Sequence, residues 1–309
     1  MIATTKPRIV SLLASSTEIV CALGFEDQLV GRSHECDFPE TVKRLPVCTV
    51  TKFVTDGTSY EIDQRIKAIL QEGLSIYRVE AEKLKALRPD VIVTQTQCDV
   101  CAVSLRDVEA AVCELIDSRP IIVALQPNAL ADIWADIMCV AEALEARMRG
   151  QELVERLQRR MAAIMEKTRA LPKRPTVACI EWIEPLMAAG NWMPELIERA
   201  GGINLFGEAG KHSPWMTLEQ LCEKDPEIIL VLPCGFDIAR TRQDMPALTQ
   251  KPQWRQLRAV QNRRVFLADG NQYFNRPGPR VVESLEILTE IFHPEKFSSK
   301  HAGAGWQPL

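Results

Sequence analysis

Two stretches of the chain repeat one another, and that repeat constrains the architecture more than any other feature. Glu82-Lys-Leu-Lys-Ala-Leu-Arg-Pro89-Asp90-Val-Ile-Val93 and Glu219-Gln-Leu-Cys-Glu-Lys-Asp-Pro226-Glu227-Ile-Ile-Leu230 each read as a short helix, a turn at proline and a buried strand. Each opens with a glutamate seven positions ahead of its proline. A looser pair, Arg8 to Gly24 and Thr176 to Gly190, reads in both copies as a strand leading into a helical or loop segment. Two matched units in the same order predict duplicated lobes.

Between the copies, Asn128 to Leu171 holds no proline and one glycine, Gly150. Asn128 is a candidate N-cap. Ile133, Ile137, Val140 and Leu144 carry helical spacing, and Leu153, Leu157, Met161 and Ile164 resume it after the glycine. The pattern predicts an almost continuous, stiff helix, stopped by Pro172 and Pro175. Its second piece would span about 30 Å at 1.5 Å per residue. The expected organisation is an N-terminal lobe over 1–127, a helical linker over 128–171 and a C-terminal lobe over 172–309.

Within each lobe strands alternate with helices, which implies a parallel sheet covered on both faces and an α/β fold of two Rossmann-like lobes. Arg8 to Leu13 is a strand, and Ser15 or Ser16 is expected to cap the helix that follows it to Leu23. Residues 49–58 read as loop, Ser59 caps a helix through Leu70, and a last helix runs from Val281 to Phe292. The tail after His293 reads as frayed.

At 309 residues with 46% apolar and 25% charged side chains, the chain has ample material for two cores. A net charge of -4 and the lack of a long Lys/Arg run argue against nucleic acid or an anionic membrane as the main partner, and a monomer is expected. Ten irregularly spaced cysteines do not form a disulfide framework, so most are expected as free thiols. No stretch approaches 18 apolar residues, and the first residues lack a signal-peptide layout. A cytoplasmic protein is therefore the expectation, or an exported one if translation starts further upstream.

Ligands of open parallel sheets bind beyond the carboxyl ends of the strands. Those ends carry His34, Glu35, Cys36, Trp182, Trp192, Phe236, Tyr273 and Arg276, with His212 in the loop before Pro214. So many aromatics in a chain with only 6% of them suggest a cleft for a flat, partly apolar ligand. Cys98-x-x-Cys101, joined by His34 and Cys36, has the residue types of a tetrahedral zinc or iron site. The plainer alternative is thiols packed in loops, and a nucleophilic pair of Cys36 or Cys98 with His34 or His212 is a third. The sequence has no glycine-rich phosphate loop, so no nucleotide cofactor is expected.

Arg8-Ile-Val-Ser-Leu-Leu-Ala-Ser-Ser-Thr-Glu-Ile-Val, Val30-Gly31 with Asp37-Phe38-Pro39, Leu87-x-Pro89-Asp90-Val-Ile-Val, Pro214-Trp215 before Glu219, and Phe274-x-Arg276-x-x-Pro279-Arg280 are familiar together. Over nearly the whole chain and in this order, they resemble the cobalamin-binding proteins of ABC importers. Those proteins belong to the class III periplasmic-binding-protein superfamily, which also takes siderophores and haem. The resemblance implies two α/β lobes joined by one long helix, a corrinoid or similar metal chelate as ligand, and an ABC permease as partner. It also implies that Glu82 and Glu219 dock onto the permease, that Trp215 lines the corrin cleft, and that Arg276 meets the ligand's polar groups, where its fork of donors suits amide or carboxylate oxygens.

The chain departs from that family in having no leader as written, in an apparent insertion over Thr49 to Val79, and in His34, Glu35 and Cys36 standing where aromatics are expected. An imidazole or thiolate there can coordinate cobalt or another soft metal. The first reading is a non-enzymatic binding protein for a metal chelate, with no cofactor required. The second is a cytosolic metal-binding protein or metal- or thiol-dependent enzyme that reuses the fold.

Overall fold

The apolar run that opens the chain becomes strand β1 (Ile9–Ser11), buried along its whole length, as a strand inside a parallel sheet must be. This computed structural model describes residues 6–72, 75–96, 105–113 and 119–309. They divide into two units. The first comprises Met1–Asp56, Gln64–Pro127 and Ala131–Arg156, and the second Gly57–Asp63, Asn128–Leu130 and Leu157–Leu309.

In the first unit β1 is followed by β2 (Leu29–Arg32), β3 (Thr49–Thr51), β4 (Tyr77–Val79), β5 (Val91–Gln95) and β6 (Ile121–Leu125). Four of these form a parallel sheet in the order β2-β1-β5-β6. Its core includes Val10, Leu12, Ile76, Leu84, Ile92 and Val108. β3 and β4 pair antiparallel with each other, so residues 49–51, read from sequence as loop, are a strand. Between them lies the helix Ser59–Gln71, capped not by Ser59 as expected but by Thr58, whose hydroxyl accepts the Glu61 N–H at 3.2 Å while the Glu61 carboxylate accepts the Thr58 N–H at 2.8 Å. The first helix is Ala14–Ala22, and its N-cap is Leu13, with no side-chain cap. Ser15 and Ser16 sit inside the helix instead, and the Ser16 hydroxyl donates to the Leu13 carbonyl at 2.9 Å.

The second unit carries β7 (Thr176–Trp182), β8 (Met187–Ala188), β9 (Ile203–Asn204), β10 (Ile228–Val231), β11 (Val265–Ala268) and β12 (Trp306–Pro308). β9, β7, β10 and β11 lie side by side and parallel, the same plan as β2, β1, β5 and β6. β8 and β12 add antiparallel edges. The repeat read from sequence is therefore structural. The helix Ala81–Leu87 ends on Arg88 at φ 45°, and Leu218–Lys224 ends on Asp225 at φ 39°; both are left-handed caps followed by a proline and the central strand.

The expected continuous linker is two helices, Leu130–Ala143 and Arg147–Arg169, with Glu145 at φ 54° in the turn between them. Gly150 lies inside the second helix. A Cβ there would stand 2.6 Å from that of Ala141, so its glycine allows the two helices to approach and does not mark a break. The chain passes from the first unit to the second within this 23-residue helix, between Arg156 and Leu157.

The last helix is Val281–Phe292, as read from its periodicity. The tail beyond it is ordered, contrary to expectation. β12 pairs with β11, the Trp306 indole donates to Glu290 at 2.8 Å, and the Glu290 carboxylate also accepts the N–H groups of Lys300 and His301. No helix among the described residues is long and apolar enough to cross a membrane.

Candidate functional site

In the first unit the chain leaves β2 through a loop that Arg32 holds from below. Its guanidinium donates to the carbonyls of Ser33 and Cys36, both at 3.0 Å, and of Lys43 at 3.1 Å, so its charge is spent on the loop's own backbone. Ser33 donates its N–H to the Ser11 carbonyl at the end of β1 (2.8 Å). His34 is then placed by Thr49 of β3, whose hydroxyl oxygen lies 3.1 Å from the His34 amide and 2.8 Å from its Nδ1. The ring packs against Tyr77 of β4, centroids 5.3 Å apart at 43°, and the Tyr77 hydroxyl donates to Glu35 Oε1 at 3.2 Å. Burial, and then the nearby Arg32, hold the His34 imidazole below its ordinary value of 6.5, so it is neutral at pH 7. Its side chain remains 27% exposed.

In the second unit Trp182 ends β7 and Phe236 follows β10, their rings 5.3 Å apart at 52°. The Arg240 guanidinium lies 4.5 Å over the Phe236 ring, donates to the Gly57 carbonyl and stands 4.0 Å from Asp244. Beside them the Ser213 hydroxyl is 3.0 Å from both oxygens of Glu181 and accepts the Gly190 N–H at 3.1 Å. A Cβ at Gly190 would sit 2.6 Å from the Ser213 nitrogen, so glycine is needed for this approach. His212 is exposed, with Nδ1 3.0 Å from the Ser213 carbonyl oxygen. Trp215 is bridged to Met187 and 57% exposed.

After β11 the Asp269 carboxylate caps the turn Gly270–Phe274 by accepting the Gln272 N–H at 2.7 Å. Arg276 then donates to Asn271 Oδ1 at 3.1 Å. Arg280 donates to Gln272 Oε1 at 3.0 Å and lies 5.4 Å over the Tyr273 ring. This unit also has a groove elsewhere. Of about 860 Å³, it runs along the helical flank past Thr168, Arg174 and Glu195, away from these strand ends.

The residues expected at the site thus separate. His34 and Glu35 share one face in the first unit; in the second, Trp182 ends β7, Tyr273 lies in the turn Gly270–Phe274, and Phe236, Trp215 and His212 occupy loops. Three expected ligand contacts are enclosed. Cys36 is fully buried, and its sulfur accepts the Thr17 hydroxyl at 3.0 Å; Trp192 is 6% exposed at the start of the helix Met193–Arg199; Arg276 is 4% exposed and tied to its own loop. Their types suggested ligand chemistry, but burial gives them to the protein interior. Cys98 and Cys101, the remainder of the expected metal site, lie outside the described residues. Among the described residues no three His, Cys, Asp or Glu side chains gather as they would around an ion. Thr49, Tyr77 and Arg240 escaped the sequence reading, although the β-branched run Thr49-Val-Thr51 was a signal for the strand that presents Thr49.

A family model described as periplasmic binding protein matches residues 9–271. The chain belongs to the periplasmic binding protein family. Members of this family are solute-binding proteins and not enzymes, so the reading of a Cys–His nucleophile or a metal-dependent enzyme finds no support. Among family relatives, the chain is 23% identical to an uncharacterized ABC transporter substrate-binding lipoprotein, YvrC of Bacillus subtilis, over 94% of this chain and 81% of the relative. It is 25% identical to a vitamin B12-binding protein of Vibrio vulnificus over 92% and 89%.

Solved structures of the family share the fold. The periplasmic haem-binding protein RhuT of Roseiflexus superposes with a TM-score of 0.69 at 23% identity, covering 94% of this chain and 99% of that one. The periplasmic vitamin B12-binding protein BtuF of Vibrio cholerae gives 0.66 at 21%, covering 93% and 96%. The fold is therefore the class III periplasmic-binding-protein fold read from the sequence. The expected cytoplasmic location is not supported, since the relatives are named as lipoprotein or periplasmic proteins.

Proposed function

We propose that the chain is the substrate-binding component of an ABC importer and that its ligand is a corrinoid rather than haem or a ferric siderophore. The observation that carries this reading is an aromatic face whose cations already have acceptors. Trp182, Phe236 and exposed Trp215 offer apolar plates for a flat macrocycle. Arg240, Arg276 and Arg280 beside them are each engaged by protein oxygens or rings. Haem brings two propionates, and catecholate or carboxylate siderophores a net negative charge, and both need cations to offset desolvation. A corrinoid rimmed by neutral amides does not. The relatives named for vitamin B12 agree with this choice.

On the first unit's face His34 is neutral and part-exposed, and among the described residues its Nε2 has the Glu35 carboxylate as its ionic neighbour, at 3.9 Å. For a chelate seated on this face of the first unit, it serves as a donor to the metal, in place of the four-residue Cys/His site. Glu82 and Glu219 occupy equivalent first turns of the repeated helices, both exposed, and are the contacts for permease arginines. Calorimetry with hydroxocobalamin, cobinamide and haemin tests the ligand: corrinoid binding at least ten times tighter than haemin is expected, and tighter haemin binding overturns it. The visible spectrum of hydroxocobalamin should shift on binding to wild type but not to His34→Ala.

A further inference from the structure

The Thr49 hydroxyl has three neighbours and one proton. It lies 2.8 Å from His34 Nδ1, accepts the His34 amide at 3.1 Å, and donates to the Ser33 hydroxyl oxygen at 3.1 Å. Ser33 in turn accepts the Glu35 N–H at 3.3 Å. With its single hydrogen directed at Ser33, Thr49 can only accept from the imidazole, and at 2.8 Å it is a much closer partner for Nδ1 than the Ser33 hydroxyl at 3.5 Å, so this contact favours the ring proton on Nδ1. The fully buried Thr49 is held in place by β3, through its register with Val79 of β4. The Tyr77 hydroxyl occupies the Glu35 carboxylate at 3.2 Å, and that carboxylate is 3.9 Å from His34 Nε2, too far to hold a proton there by a hydrogen bond.

We propose that Thr49 fixes the ring proton of His34 on Nδ1 and thereby leaves the Nε2 lone pair bare for the metal of a bound chelate, a role that rests on the reading of His34 given above. Thr49 is a positioning residue. It touches no ligand, and it acts by choosing which nitrogen faces outward and by fixing the plane of the ring. The antiparallel pair β3 and β4 supplies both Thr49 and the Tyr77 ring, so the segment between β2 and β5 orients the donor from two sides.

Two measurements on the full chain test this. Long-range proton–nitrogen correlation spectra of the ligand-free, nitrogen-15-labelled protein should show His34, identified by its loss in His34→Ala, with a protonated Nδ1 and a bare Nε2. Thr49→Val, which keeps the shape but removes the acceptor, should move a substantial share of the proton to Nε2, and Thr49→Ser should restore the wild-type pattern. A protonated Nε2 in wild type, or an unchanged pattern in Thr49→Val, overturns the proposal whatever the ligand is.

In titrations of hydroxocobalamin followed by its visible spectrum, Thr49→Val should bind on the order of tenfold more weakly and Thr49→Ser within about threefold of wild type. Equal affinity in Thr49→Val and wild type overturns the role toward metal. Failure of wild type to bind hydroxocobalamin overturns the ligand reading instead, and the tautomer spectra distinguish the two failures.

Discussion

The carboxylate of Asp90 accepts the backbone N–H of Arg8 at 2.7 Å, and the Asp90 amide donates back to the Arg8 carbonyl at 2.8 Å. In the second unit Glu227 clasps Thr176 in the same way, its carboxylate accepting the Thr176 N–H at 3.0 Å and its amide donating to the Thr176 carbonyl at 3.0 Å. In both copies the acid after the proline binds the residue that precedes or begins the first central strand. Removing either side chain leaves an N–H without its charged acceptor. Asp90→Ala and Glu227→Ala should each cost about 1–3 kcal/mol in urea unfolding, with Asp90→Asn milder. A loss below about 0.5 kcal/mol in both would show that the clasp contributes little.

Glu227 also sets a pH dependence. Burial pushes its carboxyl up, but the Thr176 N–H and the Lys173 ammonium outweigh burial and leave it below the ordinary 4.5. A depressed carboxyl stabilises the fold above its unfolded value and loses that contribution as pH falls through the folded one. The difference in stability between wild type and Glu227→Gln should therefore be full at pH 7 and shrink below 4.5; a difference that grows on acidification would reverse the sign.

Asp136 has the opposite sign. It is 7% exposed; Oδ1 accepts the Gln126 N–H at 3.2 Å, and Oδ2 has no hydrogen-bond partner among the described residues. Burial, reinforced by Asp132, pushes the carboxyl from 3.8 up to about 6. Its ionisation opposes folding increasingly as pH rises through that interval and fully above it. Asp136→Asn should stabilise the protein by about 1–2 kcal/mol at pH 8 and by nothing measurable near pH 3.8. Denaturant midpoints at the two pH values decide it.

Two tryptophans should report opposite things. Trp192 is 6% exposed and Trp215 57%. Trp192→Ala should cost about 3–5 kcal/mol of stability. Trp215→Ala should leave the unfolding midpoint within error and weaken hydroxocobalamin binding roughly tenfold, as loss of a contact aromatic does. Unchanged binding would remove Trp215 from the ligand face.

Gly270 has no room for a side chain: a Cβ there would lie 2.1 Å from the Pro233 carbonyl oxygen and 2.6 Å from that of Leu232. Gly270→Ala should therefore destabilise by at least about 2 kcal/mol and displace the loop that holds Asn271 and Arg276. An unperturbed midpoint would show that the backbone gives way at low cost.

What periodicity and punctuation encode was readable without coordinates: the repeated helix–proline–strand unit, the start of a helix near Ser59, and Val281–Phe292. Each follows from residues close in sequence. Thr49 was read as loop because a three-residue strand gains its hydrogen bonds only from Tyr77 to Val79, which no local window contains. The linker was read as nearly continuous because neither the turn at Glu145 nor the reason for Gly150, the Ala141 side chain nine positions away across a helix crossing, leaves a local signal. Arg276 and Trp192 were expected to meet a ligand from residue type and strand-end position, and Arg276 from the resemblance as well, while their burial depends on the packing of whole units. The tail after His293 looked unstructured because the carboxylate that gathers it, Glu290, belongs to the preceding helix.

Gly57–Asp63 is encoded in the first half of the duplication but counts with the second unit. Ser59 donates its N–H to Asp244 at 2.9 Å, and its hydroxyl accepts the Glu184 N–H at 3.1 Å. A fragment starting at Leu157 would retain every strand of the later sheet and still be incomplete, with the 5% exposed Asp244 carboxylate stripped of that donor. The two halves look alike, but a seven-residue loan from one to the other means that a cut between Arg156 and Leu157 does not yield two self-sufficient pieces.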